Sequence, residues 1–259
     1  MAVKIDPMEQ FTVAPVLGRH IMVGGYDLSF TNSALFMVVV GALLAVFVSG
    51  GLKRQLIPGR WQVAVEGAVG FIDDMMRVNI GPEGKKFAPY IFSLFFFILF
   101  ANLVGVLPIA ILPHLHTFAV TSHITVTAVL AFVSFLIVLI VGFARHGLRF
   151  FTLFVPHGAP AWLMPVIIPV EFVSFMVRPF SLGLRLFVAM TAGHILLEVF
   201  GSFVVQGLAA HGPLGTLVAV LSFVMIVGVS ALELLVCAIQ AYVFALLTSL
   251  YLHDAVHLH

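Results

Sequence analysis

The chain has 259 residues, 62% of them hydrophobic and 9% charged, with a mean hydropathy of +1.19 and a formal net charge of +1. Too few polar side chains remain to cover a water-facing surface, which excludes a soluble globular domain. The near-zero charge provides no field that would gather nucleic acid. The composition is that of an all-α polytopic membrane protein, and its few charges become the informative positions.

Residues 1–27 carry Lys4, Asp6, Glu9, Arg19 and Asp27. They lack the basic start and short apolar core of a cleaved signal, so the segment reads as mature sequence. Residues 28–52 contain no Asp, Glu, Lys or Arg. They predict a first span, because a crossing helix needs about 20 apolar residues. In 59–80, Trp61, Val65, Ala68, Ile72 and Met75 fall at helical spacing, with Gln62, Glu66, Asp73 and Arg77 on another face. This predicts an amphipathic helix, either lying on the cytoplasmic membrane surface or packed on the protein.

Residues 87–144 again contain no Asp, Glu, Lys or Arg. The stretch is too long for one crossing and right for two, at 87–112 and 118–144, folded near 113–117. Residues 150–165, rich in aromatics and proline, predict a surface connection. Two long apolar segments follow, 165–206 and 213–253, joined by a turn at 207–213. Each would make roughly 60 Å of helix, against a hydrocarbon core about 30 Å thick. Ordinary tilts do not absorb that excess. The expectation is a long, steeply tilted hairpin, with Pro169 and Pro179 allowing bends.

Half of the 12 Lys and Arg lie between the first two spans: Lys53, Arg54, Arg60, Arg77, Lys85 and Lys86. Arg145 and Arg149 follow the third span, and the turns at 113–117 and 207–213 hold none. Basic loops stay cytoplasmic, so the N-terminus is expected outside and the C-terminus in the cytoplasm. The single cysteine, Cys237, sits in an apolar run and reads as a small core residue.

The costly side chains lie in the long hairpin: Glu171, Arg178, Arg185, His194, Glu198 and Glu233. Each central charge costs about 2.5–3.5 kcal/mol on insertion scales, and arginine cannot shed its proton. Glu171, Arg178 and Arg185 are seven apart and share a face. His194 lies about half a turn round from Arg185, and Glu198 shares the histidine's face. Folding the hairpin at Gly212–Pro213 sets side by side residues whose numbers total about 425. Arg185 then falls opposite Gln240, and His194 near Glu233. An acid on one side, a His/Glu pair on the other and a fixed cation between them resemble two proton relays separated by an electrostatic barrier.

Several motifs then coincide. Residues 179–187 read Pro-Phe-Ser-Leu-Gly-Leu-Arg-Leu-Phe and 192–194 Ala-Gly-His. Residues 100–108 read Phe-Ala-Asn-Leu-Val-Gly-Val-Leu-Pro, 240–244 Gln-Ala-Tyr-Val-Phe, and 30–33 Phe-Thr-Asn-Ser. Together they resemble the a subunit of F-type ATP synthase over nearly the whole chain, and the arginine motif is highly specific. The resemblance implies a stator beside a ring of c subunits, held with b subunits and other synthase subunits in membrane lipid. Protons would pass by two offset half-channels to and from the ring carboxylates.

On that resemblance Arg185 is the essential arginine, and His194 and Glu233 are the outer-side pair in the order of alphaproteobacterial and mitochondrial relatives. Gln240 matches the glutamine facing the arginine, and Glu171 and Ser181 match the cytoplasmic-side channel. Asn102 belongs to the second-span motif, and its plainer role is a bond to a neighbouring helix. Glu198 falls outside the motifs and stands as a further proton-path candidate or a structural residue. Ala189 departs from the family, which often carries asparagine there. The location implied is a bacterial inner membrane, with the mitochondrial inner membrane as alternative.

No nucleophile, metal or phosphate-loop motif occurs, so no cofactor, metal or catalysis by the chain itself is expected. His253, His257 and His259 suggest a frayed, solvated tail more than a metal tract. The rival function is a self-contained secondary ion-coupled transporter, which would need a substrate cavity and often inverted repeats.

Overall fold

The computed structural model describes residues 22–23, 26–27, 29–51, 59–106, 119–155, 163–210 and 212–257. Among them are six α-helices: α1 (Asn32–Gly51), α2 (Arg60–Asn79), α3 (Ala88–Val106), α4 (Ile124–His146), α5 (Met164–Ala209) and α6 (Pro213–Val256). Two strands of two residues, β1 (Met22–Val23) and β2 (Tyr26–Asp27), pair antiparallel with Met22 opposite Asp27. They form the only sheet among the described residues, and every span is helical.

α1, α3, α4, α5 and α6 are long and apolar enough to cross a membrane. A helix suits such sequence because hydrocarbon offers no partner to backbone N–H and C=O groups, so each must be bonded within its own segment. At 46 and 44 residues, α5 and α6 exceed what a crossing needs. α5 continues through Pro169 and Pro179.

Three stretches add detail to the sequence reading. α1 begins at Asn32 rather than 28, because Thr31 starts it: the Thr31 carbonyl accepts from Leu35 N (3.0 Å) and its Oγ1 from Ala34 N (3.4 Å). α5 runs past Gly207, with Ala210 N still donating to Gln206 O (3.1 Å), so the turn is shorter than 207–213. Of the connection expected at 150–165, the first residues belong to a 3-10 helix, Gly147–Phe154, and 156–162 lie outside the described residues. Its Phe150 packs on the bare backbone at Gly142, and Phe154 and Phe175 meet edge to face at 5.5 Å. The fold expected near 113–117 lies outside the described residues.

By internal packing the chain divides into two compact units, one of Met1–Leu44, Phe97–His123 and Phe187–Gln240, the other of Ala45–Phe96, Ile124–Leu186 and Ala241–His259. In the first, α5 and α6 approach so closely that a side chain on Gly207 would meet Gly215 O at 2.6 Å. Small residues give membrane helices this contact.

In the second unit, α2 buries Val65, Ile72, Met75 and Met76. Trp61 Nε1 donates to Phe47 O (3.1 Å), Asn79 Nδ2 donates to Ser249 Oγ (2.8 Å), and the Phe71 ring lies 6.0 Å from that of Tyr242. Of the two sequence readings, the packed helix therefore describes one face of α2. The other face exposes Glu66, Asp74 and Arg77 together with Val63 and Val78.

Candidate functional site

The first unit gathers three of the polar residues singled out in the sequence. Asn102 on α3, His194 on α5 and Glu233 on α6 are all buried. His194 Nδ1 lies 2.9 Å from Met190 O and 2.9 Å from Glu233 Oε1, and Nε2 lies 3.1 Å from Gly105 O. Carbonyl oxygens only accept, and a neutral imidazole has a single N–H. Both ring nitrogens of His194 thus face carbonyl oxygens, and Nδ1 also faces the Glu233 carboxylate.

The Glu233 carboxylate rests over Gly193: a Cβ there would stand 2.7 Å from Oε1. Neither Glu233 oxygen accepts a geometrically proper hydrogen bond among the described residues. His194 Nδ1 nevertheless approaches Oε1 at 2.9 Å. Asn102 Nδ2 donates to Cys237 O (3.2 Å), while its Oδ1 is buried without a donor among the described residues. Cys237 Sγ lies 3.9 Å from Met190 Sδ, which closes the layer between α5 and α6.

Buried polar groups without partners are expensive in hydrocarbon. Asn102 Oδ1, both Glu233 oxygens and Thr121 Oγ1 are buried without a hydrogen-bond partner among the described residues. Thr121 belongs to the buried turn Val120–Ser122, where Thr191 Oγ1 donates to Ser122 O (3.3 Å). Glu198, one turn beyond His194, is half-buried with Oε2 inside. Gln240 ends this unit's stretch of α6 and is half-buried.

The second unit holds Glu171, Ser181 and Arg185, all on α5. Glu171 is half-buried, whereas Ser181 and Arg185 are exposed. Arg185 makes no hydrogen bond or ion pair within this unit among the described residues. Arg178 differs: Nη1 donates to Asp254 Oδ2 (2.8 Å), and the guanidinium lies 5.4 Å from the Phe175 ring and 5.0 Å from that of Tyr251. Exposed Val170, Val173, Val177, Phe180 and Leu184 line α5 beside Ser181 and Arg185.

Sequence reasoning missed Gly105, Gly193, Thr121, Thr191 and Asp254 as parts of these arrangements. Gly193 and Gly105 had a signal, since each stands inside a motif, Gly193 next to His194 and Gly105 three residues after Asn102. Thr121, Thr191 and Asp254 had none, because their partners are distant in the chain.

A sequence model of the family described as ATP synthase A chain matches residues 33–253. The chain is 65% identical over 257 residues to the ATP synthase subunit a of Sphingopyxis alaskensis, covering 99% of this chain and 98% of that protein. It is 59% identical over 256 residues to that of Rhizorhabdus wittichii, with 99% and 98% covered. The ATP synthase subunit a of Zymomonas mobilis is 58% identical over 262 residues, with 98% of each covered. With five helices long and apolar enough to cross a membrane among the described residues and a match over nearly its whole length, the chain belongs to the ATP synthase subunit a family, the proton-translocating stator of the Fo sector, an inner-membrane subunit that works with other synthase subunits and is not catalytic by itself.

Proposed function

We propose that Arg185 separates two half-channels and meets the carboxylates of a c-subunit ring, one at a time. The observation that carries this reading is the contrast between the two arginines of α5: Arg178 has an internal carboxylate, and Arg185 is exposed without one in its unit. A permanent cation at membrane depth needs a counter-charge, and the exposed apolar Phe180, Leu184 and Val188 beside Arg185 suit close approach by another helix. A ring carboxylate beside Arg185 is held ionised, because a nearby cation favours the charged form. It gives up its proton before passing and takes another from the opposite half-channel. Arg185 also repels excess protons, which suppresses a leak between the channels.

His194 and Glu233, with Asn102 and Glu198, form the outer-side path, and the buried acceptors around them are completed by water. Glu171 and Ser181 form the cytoplasmic-side path. Gln240 is a further polar residue of the proton path in this reading. In this reading 1–259 is a single membrane domain, its long hairpin slanted across the bilayer, its N-terminus outside and its C-terminus cytoplasmic. The b subunits hold it against rotation. A membrane potential supplies about 2.3 kcal/mol per proton per 100 mV, and the offset of the channels converts that into one direction of turning.

The test is ATP-driven proton pumping in membrane vesicles carrying Arg185→Ala. Assembly should be kept and coupled pumping abolished. Normal pumping would end the assignment.

A further inference from the structure

We propose that Asp254 and Arg178 form a counter-ion lock that keeps Arg185 unpaired, so that Arg178 is a positioning residue for proton transfer. The inference rests on the role given to Arg185 above. Two guanidiniums, Arg178 and Arg185, stand two turns apart on α5, and both lie within electrostatic reach of the Tyr251 phenol on α6, as does Asp254. Asp254 is the one carboxylate in that group. An ion pair at low dielectric is strong once formed. Asp254 left to itself would neutralise Arg185 and compete with any carboxylate brought by a partner.

The geometry selects the other arginine. Arg178 Nη1 holds Asp254 Oδ2 at 2.8 Å. The same guanidinium lies against two aromatic rings, Phe175 and Tyr251, an arrangement that stabilises a cation further. Phe175 is itself immobilised, being buried and in ring contact with Phe135, Phe150 and Phe154. Arg178 therefore has a fixed seat and Asp254 a fixed partner, and no such seat surrounds Arg185 within this unit. The lock lies in the same unit as Arg185, on the helix that carries it.

The experiment measures ATP-driven proton pumping by the complete synthase in membrane vesicles, with subunit levels checked by immunoblot. Arg178→Gln frees Asp254 and should lower pumping about tenfold. Arg178→Gln with Asp254→Asn removes the freed carboxylate and should restore most of the rate. Asp254→Asn alone and Arg178→Lys should stay near wild type. If Arg178→Gln does not accumulate, Arg178→Met, which fills the space between the rings, is judged by the same criteria. Failure of both to accumulate, not repaired by Asp254→Asn, counts against the proposal.

Equal damage from Asp254→Asn and Arg178→Gln would make the pair a packing clamp and overturn the lock. So would a double variant as slow as Arg178→Gln, or an undisturbed Arg178→Gln. Arg185→Ala separates the two levels. Normal pumping there sinks the role of Arg185 itself, whereas abolished pumping without rescue of Arg178→Gln sinks only the lock.

Discussion

Gly193 lies directly beneath the carboxylate of Glu233, so close that a methyl group at that position would come within 2.7 Å of Oε1. The glycine is what allows an acid from α6 to rest on the backbone of α5 one residue before His194. Gly193→Ala should push Glu233 off the imidazole and slow pumping about tenfold while leaving assembly intact. Vesicle pumping at unchanged subunit level checks it, and a wild-type rate would mean that the carboxylate has room elsewhere.

His194 and Glu233 act as one unit if their 2.9 Å contact matters. Groups that act together show non-additive losses. His194→Ala and Glu233→Gln should each reduce pumping, and the double variant should be little worse than either alone. Losses that multiply would show two independent groups.

Asn102 ties α3 to α6 through its bond to Cys237 O. Asn102→Leu should lower the thermal stability of the purified complex by about 0.5–1.5 kcal/mol, the net worth of one hydrogen bond. Asn102→Asp should cost more, since an ionised carboxylate would face a carbonyl oxygen. An unchanged melting curve for the aspartate variant would contradict the bond.

The glycines of the hairpin divide into tight and loose positions. A Cβ on Gly207 would meet Gly215 O at 2.6 Å and Ala219 N at 3.0 Å, whereas nothing lies within 4 Å of one on Gly201. Gly207→Leu should force α5 and α6 apart and reduce the amount of assembled Fo. Gly201→Ala should assemble normally. Equal assembly of the two would show that the hairpin does not depend on the close crossing.

At the end of α4, Arg145 bonds Glu83 of the Pro82–Lys86 turn, and this guanidinium holds the Glu83 carboxyl below its usual range. A depressed carboxylate pKa contributes stability that is complete above the unfolded value and is lost as pH falls through the folded one. Wild type should therefore exceed Glu83→Gln by a constant, small margin from about pH 8 to 6, narrowing only in acid below the ordinary carboxylate range. Thermal melts across pH check the sign; a margin that widens in acid would reverse it.

Much of this chain is legible one residue at a time. Five long apolar helices follow from local hydropathy, because hydrocarbon admits only segments that satisfy their own backbones. The intramembrane Arg185, His194 and Glu233 stand out for the same reason, as side chains that cost free energy wherever they are buried. Even the pairing of His194 with Glu233 follows from counting back along a hairpin folded at Gly212–Pro213, since a regular helix rises by a fixed step.

What counting could not reach is which neighbour each group chooses. That Arg178 takes Asp254 while Arg185 stays exposed depends on two aromatic rings from different helices closing on one guanidinium. That Gly105 supplies a carbonyl to His194, and Gly193 a bed for Glu233, depends on how near three helices come and how each is turned about its axis. Hydropathy is a property of a segment and survives in the linear string. Distance and rotation between segments exist only once the helices have packed, and they decide which charge finds a counter-ion inside the fold and which stays exposed.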